Sequence, residues 1–228
     1  MNPNENANRQ TERDAMVETQ IKARGVRDPR VLDALRSVPR HHFLPEAERA
    51  YEDAAQAIGA RQTISQPFIV ALMSESLALH GSETVLEIGA GSGYQTAILA
   101  RLAARVVAVE RHVSLAEQAG RVLGALGITN VSLFVGDGSA GWPEFAPYDA
   151  ILCAAAAPQV PPALVDQLAP GGRLVIPIGP EEAEQRLLLV TKGGDGAPAT
   201  RDFGPVLFVP LIGAQGHGLP EDLGELDI

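Results

Sequence analysis

The chain has 228 residues, a net charge of −10 and a pI near 4.9, with 46% hydrophobic and 20% charged residues. This is the length of one ordinary domain with room for a small appendage, and its acidic balance argues against broad nucleic-acid binding, which needs a basic face. One cysteine, Cys153, excludes an internal disulfide and any CxxC site, and the five histidines have no HExxH spacing, so no metal is expected.

No apolar run approaches the ~18 residues of a membrane span, and the polar N-terminus lacks the apolar stretch of a secretory signal. A soluble, cytoplasmic, monomeric protein with no membrane partner is expected. Residues 1–15 are Asn-rich with nothing apolar to anchor them and read as a frayed tail. Residues 16–80 form an N-terminal extension of helical character. Val17, Ile21, Val31, Leu32 and Leu35 keep a helical rhythm around the Asp28-Pro29 break, and Gln66-Pro67 opens a further helix to Leu79.

From residue 81 to 213 strands and helices alternate. Apolar strands are expected at 84–88, 105–109, 130–135, 148–153 and 173–178, with helices at 96–102, 114–126 and 162–168 between them. Continuous apolar strands in a βαβ rhythm indicate an α/β fold with a doubly wound, mostly parallel sheet covered on both faces. Residues 186–191 and 206–211 read as a closing hairpin, and residues 214–228 as an acidic solvated tail.

The strongest chemical signal is Glu87-Ile88-Gly89-Ala90-Gly91-Ser92-Gly93-Tyr94, between the first of these strands and its helix. Ligands bind there in open parallel sheets, and glycines let the backbone approach them closely. The dinucleotide fingerprint GxGxxG fails at Tyr94, a GxSxG elbow fails around Ser92, and with only Lys22 and Lys192 in the chain no Walker lysine exists. The remaining pattern, E-x-G-x-G-x-G, is that of S-adenosyl-L-methionine methyltransferases. Glu110, 21 residues after Gly89, ends the second strand where a carboxylate can take both ribose hydroxyls, a geometry that also serves a nicotinamide cofactor. Asp137, in Gly136-Asp137-Gly138 after the third strand, is placed to accept an adenine amino group or to make an ordinary Asp-Gly turn.

The segment Gln62-Thr63-Ile64-Ser65-Gln66-Pro67 is open to two readings. Ser65 is a helix N-cap before a first-turn proline, or it belongs to a binding loop. The run of small residues at 154–157 allows either a close approach of peptide backbone or tight packing. His41 and His42 read as packing residues, and Cys153 as a small buried hydrophobe.

Together with Val38-Pro39-Arg40, Tyr51-Glu52-Asp53, residues 87–96, residues 154–158 and Phe208-Val209-Pro210-Leu211, the hexapeptide at 62–67 resembles the protein-L-isoaspartate O-methyltransferase family from about Val17 to Gly213. The resemblance implies a seven-stranded Rossmann-like methyltransferase core with the N-terminal extension over the cofactor. It also implies methyl transfer from S-adenosyl-L-methionine to the free α-carboxylate of L-isoaspartyl residues in damaged proteins and peptides. Ser65 falls on the family's reactive-site serine, Gln62, Thr63, Ile64 and Ser65 on the substrate segment, and Glu87, Gly89, Gly91, Gly93, Glu110, Asp137 and Gly138 on the cofactor site. Two other readings are a methyltransferase dedicated to an aspartate of one peptide and, more remotely, a nicotinamide-dependent oxidoreductase. The chain departs from the family at Arg61, where a glycine is usual. If the position needs positive φ, Arg61 must bear strain or change the loop, and its charge either assists acidic peptides or faces solvent.

Overall fold

A computed structural model describes residues 3–180, 184–194 and 198–218 of the chain. The N-terminal extension starts earlier than expected. Helix α1 runs Pro3–Met16, continues through a π-helical turn (Val17–Ile21) and a 3₁₀ turn (Lys22–Arg24), and leads to α2 (Pro29–Ser37). The expected frayed tail is therefore a helix, and Met16, Val17 and Ile21 at its base are buried. Polar contacts anchor it. Arg13, 8% exposed, donates to the Tyr51 hydroxyl at 3.4 Å, and the Arg9 guanidinium lies 5.8 Å from the centre of the same ring. Apolar periodicity cannot reveal an anchor of that kind.

Helix α2 begins as its sequence directs, with the Asp28 carboxylate accepting from Arg30 N at 2.8 Å and Pro29 in the first turn. A two-stranded hairpin, β1 (Gln56–Gly59) and β2 (Gln62–Ile64), then precedes helix α3 (Pro67–Ser76). Strands of four and three residues are too short for an alternation signal, and the sequence reading missed both.

The core is one seven-stranded sheet. Its strands are β3 (Thr84–Ile88), β4 (Arg105–Glu110), β5 (Val131–Val135), β6 (Tyr148–Cys153), β7 (Leu168–Ile178), β8 (Gln185–Lys192) and β9 (Pro198–Val206), in the order β5-β4-β3-β6-β7-β8-β9. Strands β3 to β7 pair in parallel, and β8 is antiparallel to both neighbours. This is the doubly wound, mostly parallel sheet that the strand rhythm predicts. Helices α4 (Tyr94–Leu102) and α5 (Val113–Ala125), with α3 and the N-terminal extension, cover one face around Val85, Val106 and Leu152. Helix α6 (Pro162–Asp166), Trp142 and Phe145 cover the other, around Leu86, Val107 and Ile151.

The last strand differs from expectation. It is the largely exposed Pro198–Val206, and the apolar run expected at 206–211 only begins where it ends. That run instead crosses the C-terminal ends of the strands, where Ala156 N donates to Val209 O and Leu211 N to Ala156 O at 2.8 and 2.7 Å. Residues 214–217 do not begin a solvated tail. They fold back, with Ala214 N on the Asp137 carboxylate and Gln215 N on Ser139 Oγ. The remainder of the expected acidic tail, residues 219–228, lies outside the described residues.

Candidate active site

The chain leaves β3, turns outward along β4 and β5, and returns to β6 beside β3, so the strand order reverses there. In open parallel sheets that reversal leaves a crevice at the C-terminal strand ends. The glycine loop closes its floor. Gly89 and Ala90 donate their amides to Val109 O at 2.9 and 3.2 Å, and Gly93 caps α4 with φ +87°. A Cβ on Gly93 would also stand 3.0 Å from Ala119 Cβ of α5, so both backbone and packing demand glycine.

Glu110, 4% exposed, finishes β4 at the edge of the crevice. Its Oε2 accepts from Gly91 N at 2.8 Å and its Oε1 from His112 N at 2.9 Å. Gly138 also lines the crevice, and a Cβ there would come within 2.7 Å of Ile88 Cγ2, so packing against β3 demands glycine at that position. The cleft has about 890 Å³ of space, part of it open to solvent. Of the residues predicted from sequence, Gln62, Thr63, Ile64, Ser65, Gly89, Gly91, Glu110 and Gly138 line it.

Glu87, Gly93 and Asp137 do not line it. Glu87 is wholly buried on the helix-covered face of β3, one residue short of the loop, because side chains alternate along a strand. Burial pushes its carboxyl up to about 8 against the opposing effect of Thr96 beside it, and nearby Glu110 adds a smaller push upward; neither carboxylate oxygen makes a hydrogen bond of good geometry. Asp137 already has both oxygens engaged, Oδ1 by Ser139 N and Oδ2 by Ala214 N, each at 2.8 Å. Burial would raise its pKa, but the Ala214 and Ser139 bonds outweigh it and hold it below the usual value. Its carboxylate ties the β5 loop to the chain near residue 214.

A second cleft, about 1,050 Å³ and also open, lies next to the first. Thr63, Ser65, Ala154 and Val209 line both. Ser65 thus stands on the shared wall. The helix-cap reading does not hold, because the N-cap of α3 is Gln66, and it makes no side-chain cap bond. The alanine run divides between its two readings: Ala154 faces both clefts, while Ala156 and Ala157 bond neighbouring backbone. Ala60 and Arg61 form the tip of the β1–β2 hairpin with φ +48° and +56°. Arg61 therefore bears the left-handed conformation itself, and its exposed side chain lines neither cleft.

Sequence reasoning gave Arg40 no role, yet it is completely buried and donates from Nη2 to Ser65 O at 2.9 Å. Its one signal was membership of Val38-Pro39-Arg40. His41 is buried too, with Nδ1 2.7 Å from the Tyr51 hydroxyl, and burial pushes its pKa down to about 4. Burial pushes the Cys153 thiol up to about 12, in keeping with a buried hydrophobe. Among the described residues no cluster of acids, histidines or cysteines is arranged to hold a metal, and no helix is long and apolar enough to cross a membrane.

A doubly wound sheet with a glycine floor, a strand-end acid and an adjoining second cleft defines a Rossmann-like methyltransferase. The family model described as protein-L-isoaspartate(D-aspartate) O-methyltransferase matches residues 11–216, and the chain belongs to that family. It is 56% identical over 210 residues to a protein-L-isoaspartate O-methyltransferase of Methylorubrum extorquens, covering 91% of each chain. Another relative, from Methanoculleus marisnigri, bears the same name and is 53% identical over 90% of this chain and 93% of its own. Among solved structures, a protein-L-isoaspartate O-methyltransferase superposes with a TM-score of 0.80 at 32% identity, over 90% of this chain and 67% of its own. One from Plasmodium falciparum, described as putative and as a complex with S-adenosyl-L-homocysteine, gives 0.77 at 26% identity, over 88% and 98%.

Proposed function

We propose that this enzyme transfers a methyl group from S-adenosyl-L-methionine to the free α-carboxylate of L-isoaspartyl residues in damaged proteins and peptides. Family membership supports the reaction, and the meeting of two clefts at Ser65 carries its assignment to these residues. The first cleft suits the cofactor. Glu110 offers a carboxylate to vicinal hydroxyls, and the apolar lining from Ile88, Val109 and Leu211 suits a flat ring. The bound cofactor supplies an electrophilic methyl on a sulfonium.

The chain's task is placement. A carboxylate with an ordinary pKa near 4 is already ionised at neutral pH, so the reaction needs no general base. With the cofactor bound, transfer of that methyl to the carboxylate oxygen would cancel two opposite charges. Orientation of this kind is worth up to roughly 7–11 kcal/mol. Ser65 orients the acceptor carboxylate by a hydrogen bond and forms no covalent intermediate. Gln62, Thr63 and Ile64 supply the edge against which the peptide lies. The ester closes to a succinimide with loss of methanol more readily than the acid loses water, and ring hydrolysis returns part of the product as normal aspartate.

The enzyme works as a cytoplasmic monomer on this reading. Val135 and Leu207 are the large apolar side chains left exposed among the described residues, and the thiol of Cys153 is buried and free. Transfer of labelled methyl to paired peptides differing only in Asp or isoAsp linkage is the direct test. Methylation of the isoaspartyl member alone is expected, and equal or no labelling of the pair would overturn the reading.

A further inference from the structure

Arg40 is the largest completely buried side chain of the described residues. It belongs to the 3₁₀ turn Arg40–Phe43, and its guanidinium reaches three separate parts of the molecule. Nε donates to Ala50 O at 2.9 Å, in the extension ahead of the hairpin. Nη2 donates to Ser65 O at the same distance, and the guanidinium lies 4.8 Å from the ring centre of Tyr94, the first residue of α4 after the glycine loop. Among the described residues no ion pair joins it to a carboxylate, and buried Nη1 makes no hydrogen bond of good geometry, although the Tyr94 side chain beside the guanidinium favours its charge. Burial lowers its pKa to about 10, so it stays cationic at neutral pH.

A buried charge without a counter-ion is costly, and a neutral donor could tie two carbonyls together at less expense in desolvation. What the charge adds is grip. A charge-assisted hydrogen bond is roughly twice as strong as a neutral one, and the planar fork holds two acceptors in fixed relation. We infer that Arg40 is a positioning residue for methyl transfer, clamping the Ser65 backbone against the extension and helix α4 so that the Ser65 hydroxyl stays aimed at the acceptor carboxylate.

The inference rests on the reading of Ser65 given above, and a double-mutant cycle separates the two. Lysine keeps the charge but cannot hold Ala50 O and Ser65 O as one planar fork. Arg40→Lys should lower kcat/KM for an isoaspartyl peptide about tenfold or more per folded molecule, since small misplacements at a reacting centre have large effects. In a Ser65→Ala background the same change should cost less than about threefold, because coupled residues are non-additive. A harmful Ser65→Ala with an undiminished Arg40→Lys penalty on top overturns the role of Arg40 alone. Arg40→Lys with unaltered turnover does the same. A Ser65→Ala variant with wild-type turnover overturns the reading of Ser65, and Arg40's role with it. If Arg40→Lys fails to fold, side-chain ¹⁵N NMR of the wild-type protein decides. With S-adenosyl-L-homocysteine present, the Arg40 Nε–H signal should shift on adding the isoaspartyl peptide but not its aspartyl twin, and an unmoved signal overturns the inference.

Discussion

Glu110 Oε2 accepts the amide of Gly91 at 2.8 Å, which links the end of one strand to the loop that follows its neighbour. Glu110 also lines the first cleft, so the residue that fixes the glycine loop is the one proposed to hold the cofactor's ribose. Glu110→Ala should weaken S-adenosyl-L-homocysteine binding by about 1.5–3 kcal/mol, the usual loss for a hydrogen bond to a charged group. Glu110→Gln, which retains one acceptor oxygen, should lose less. Calorimetric titration of the two folded variants checks this, and unchanged affinity in the alanine variant would remove the assignment.

Ser65 gives a cleaner separation of stability from turnover than its sequence suggests. Since Gln66 caps α3, Ser65→Ala removes no helix cap and should change stability by no more than about 0.5 kcal/mol. Loss of a hydrogen bond to the substrate carboxylate should lower kcat/KM roughly ten- to hundredfold. Melting temperature and initial rate measured on one preparation test both halves. A lower Tm with normal turnover would return Ser65 to a structural role.

Arg61 sits at φ +56° beside Ala60 at +48° in the hairpin tip. Left-handed backbone costs an ordinary residue roughly 1–2 kcal/mol, and glycine gives back part of that gain through its freer unfolded chain. Arg61→Gly should therefore raise stability by about 0.5–1 kcal/mol. With the side chain exposed and outside both clefts, KM for acidic peptides should stay near wild type. A salt-sensitive rise in KM would show that the charge reaches the substrate after all.

Glu87 makes stability depend on pH. Its ordinary pKa near 4.5 rises to about 8 in the folded protein, chiefly through burial. Between those values the folded chain keeps a proton that the unfolded chain releases, so stability falls as pH rises, and the slope ends above about 8. Glutamine has no such proton. The Tm of Glu87→Gln should gain on that of wild type from pH 5 to pH 8, and parallel curves would exclude a neutral buried acid.

The sheet was legible because strands buried on both faces read as continuous apolar runs, and the glycine loop because three alternating glycines follow one of them. Direction within the site was harder to read. Glu87, the acid of the glycine motif, faces the helix layer through simple alternation, and Asp137 is occupied by the amide of Ala214, 77 residues later in the chain. No local pattern announces that partner. The polar anchoring of α1 through Arg13 and Tyr51 was invisible for the same reason, as was the grip of Arg40 on Ser65. Arg61 is the reverse case: its departure from the family was plain in the sequence, and the structure supplies the angle that gives it meaning.

The bond from Ala214 N to Asp137 makes the final described turn a latch beside the first cleft, which has a practical consequence for altering the chain's end. A fusion or label joined after residue 218 leaves the latch closed. A stop codon replacing Gly213 removes the amides of Ala214 and Gln215, freeing Asp137 Oδ2 and the Ser139 hydroxyl together while Oδ1 keeps its bond from Ser139 N. Such a shortened enzyme should bind S-adenosyl-L-homocysteine more weakly, whereas one ending at Gly218 should bind it as the full chain does. Equal affinity in the two would mean that the β5 loop keeps its shape unaided.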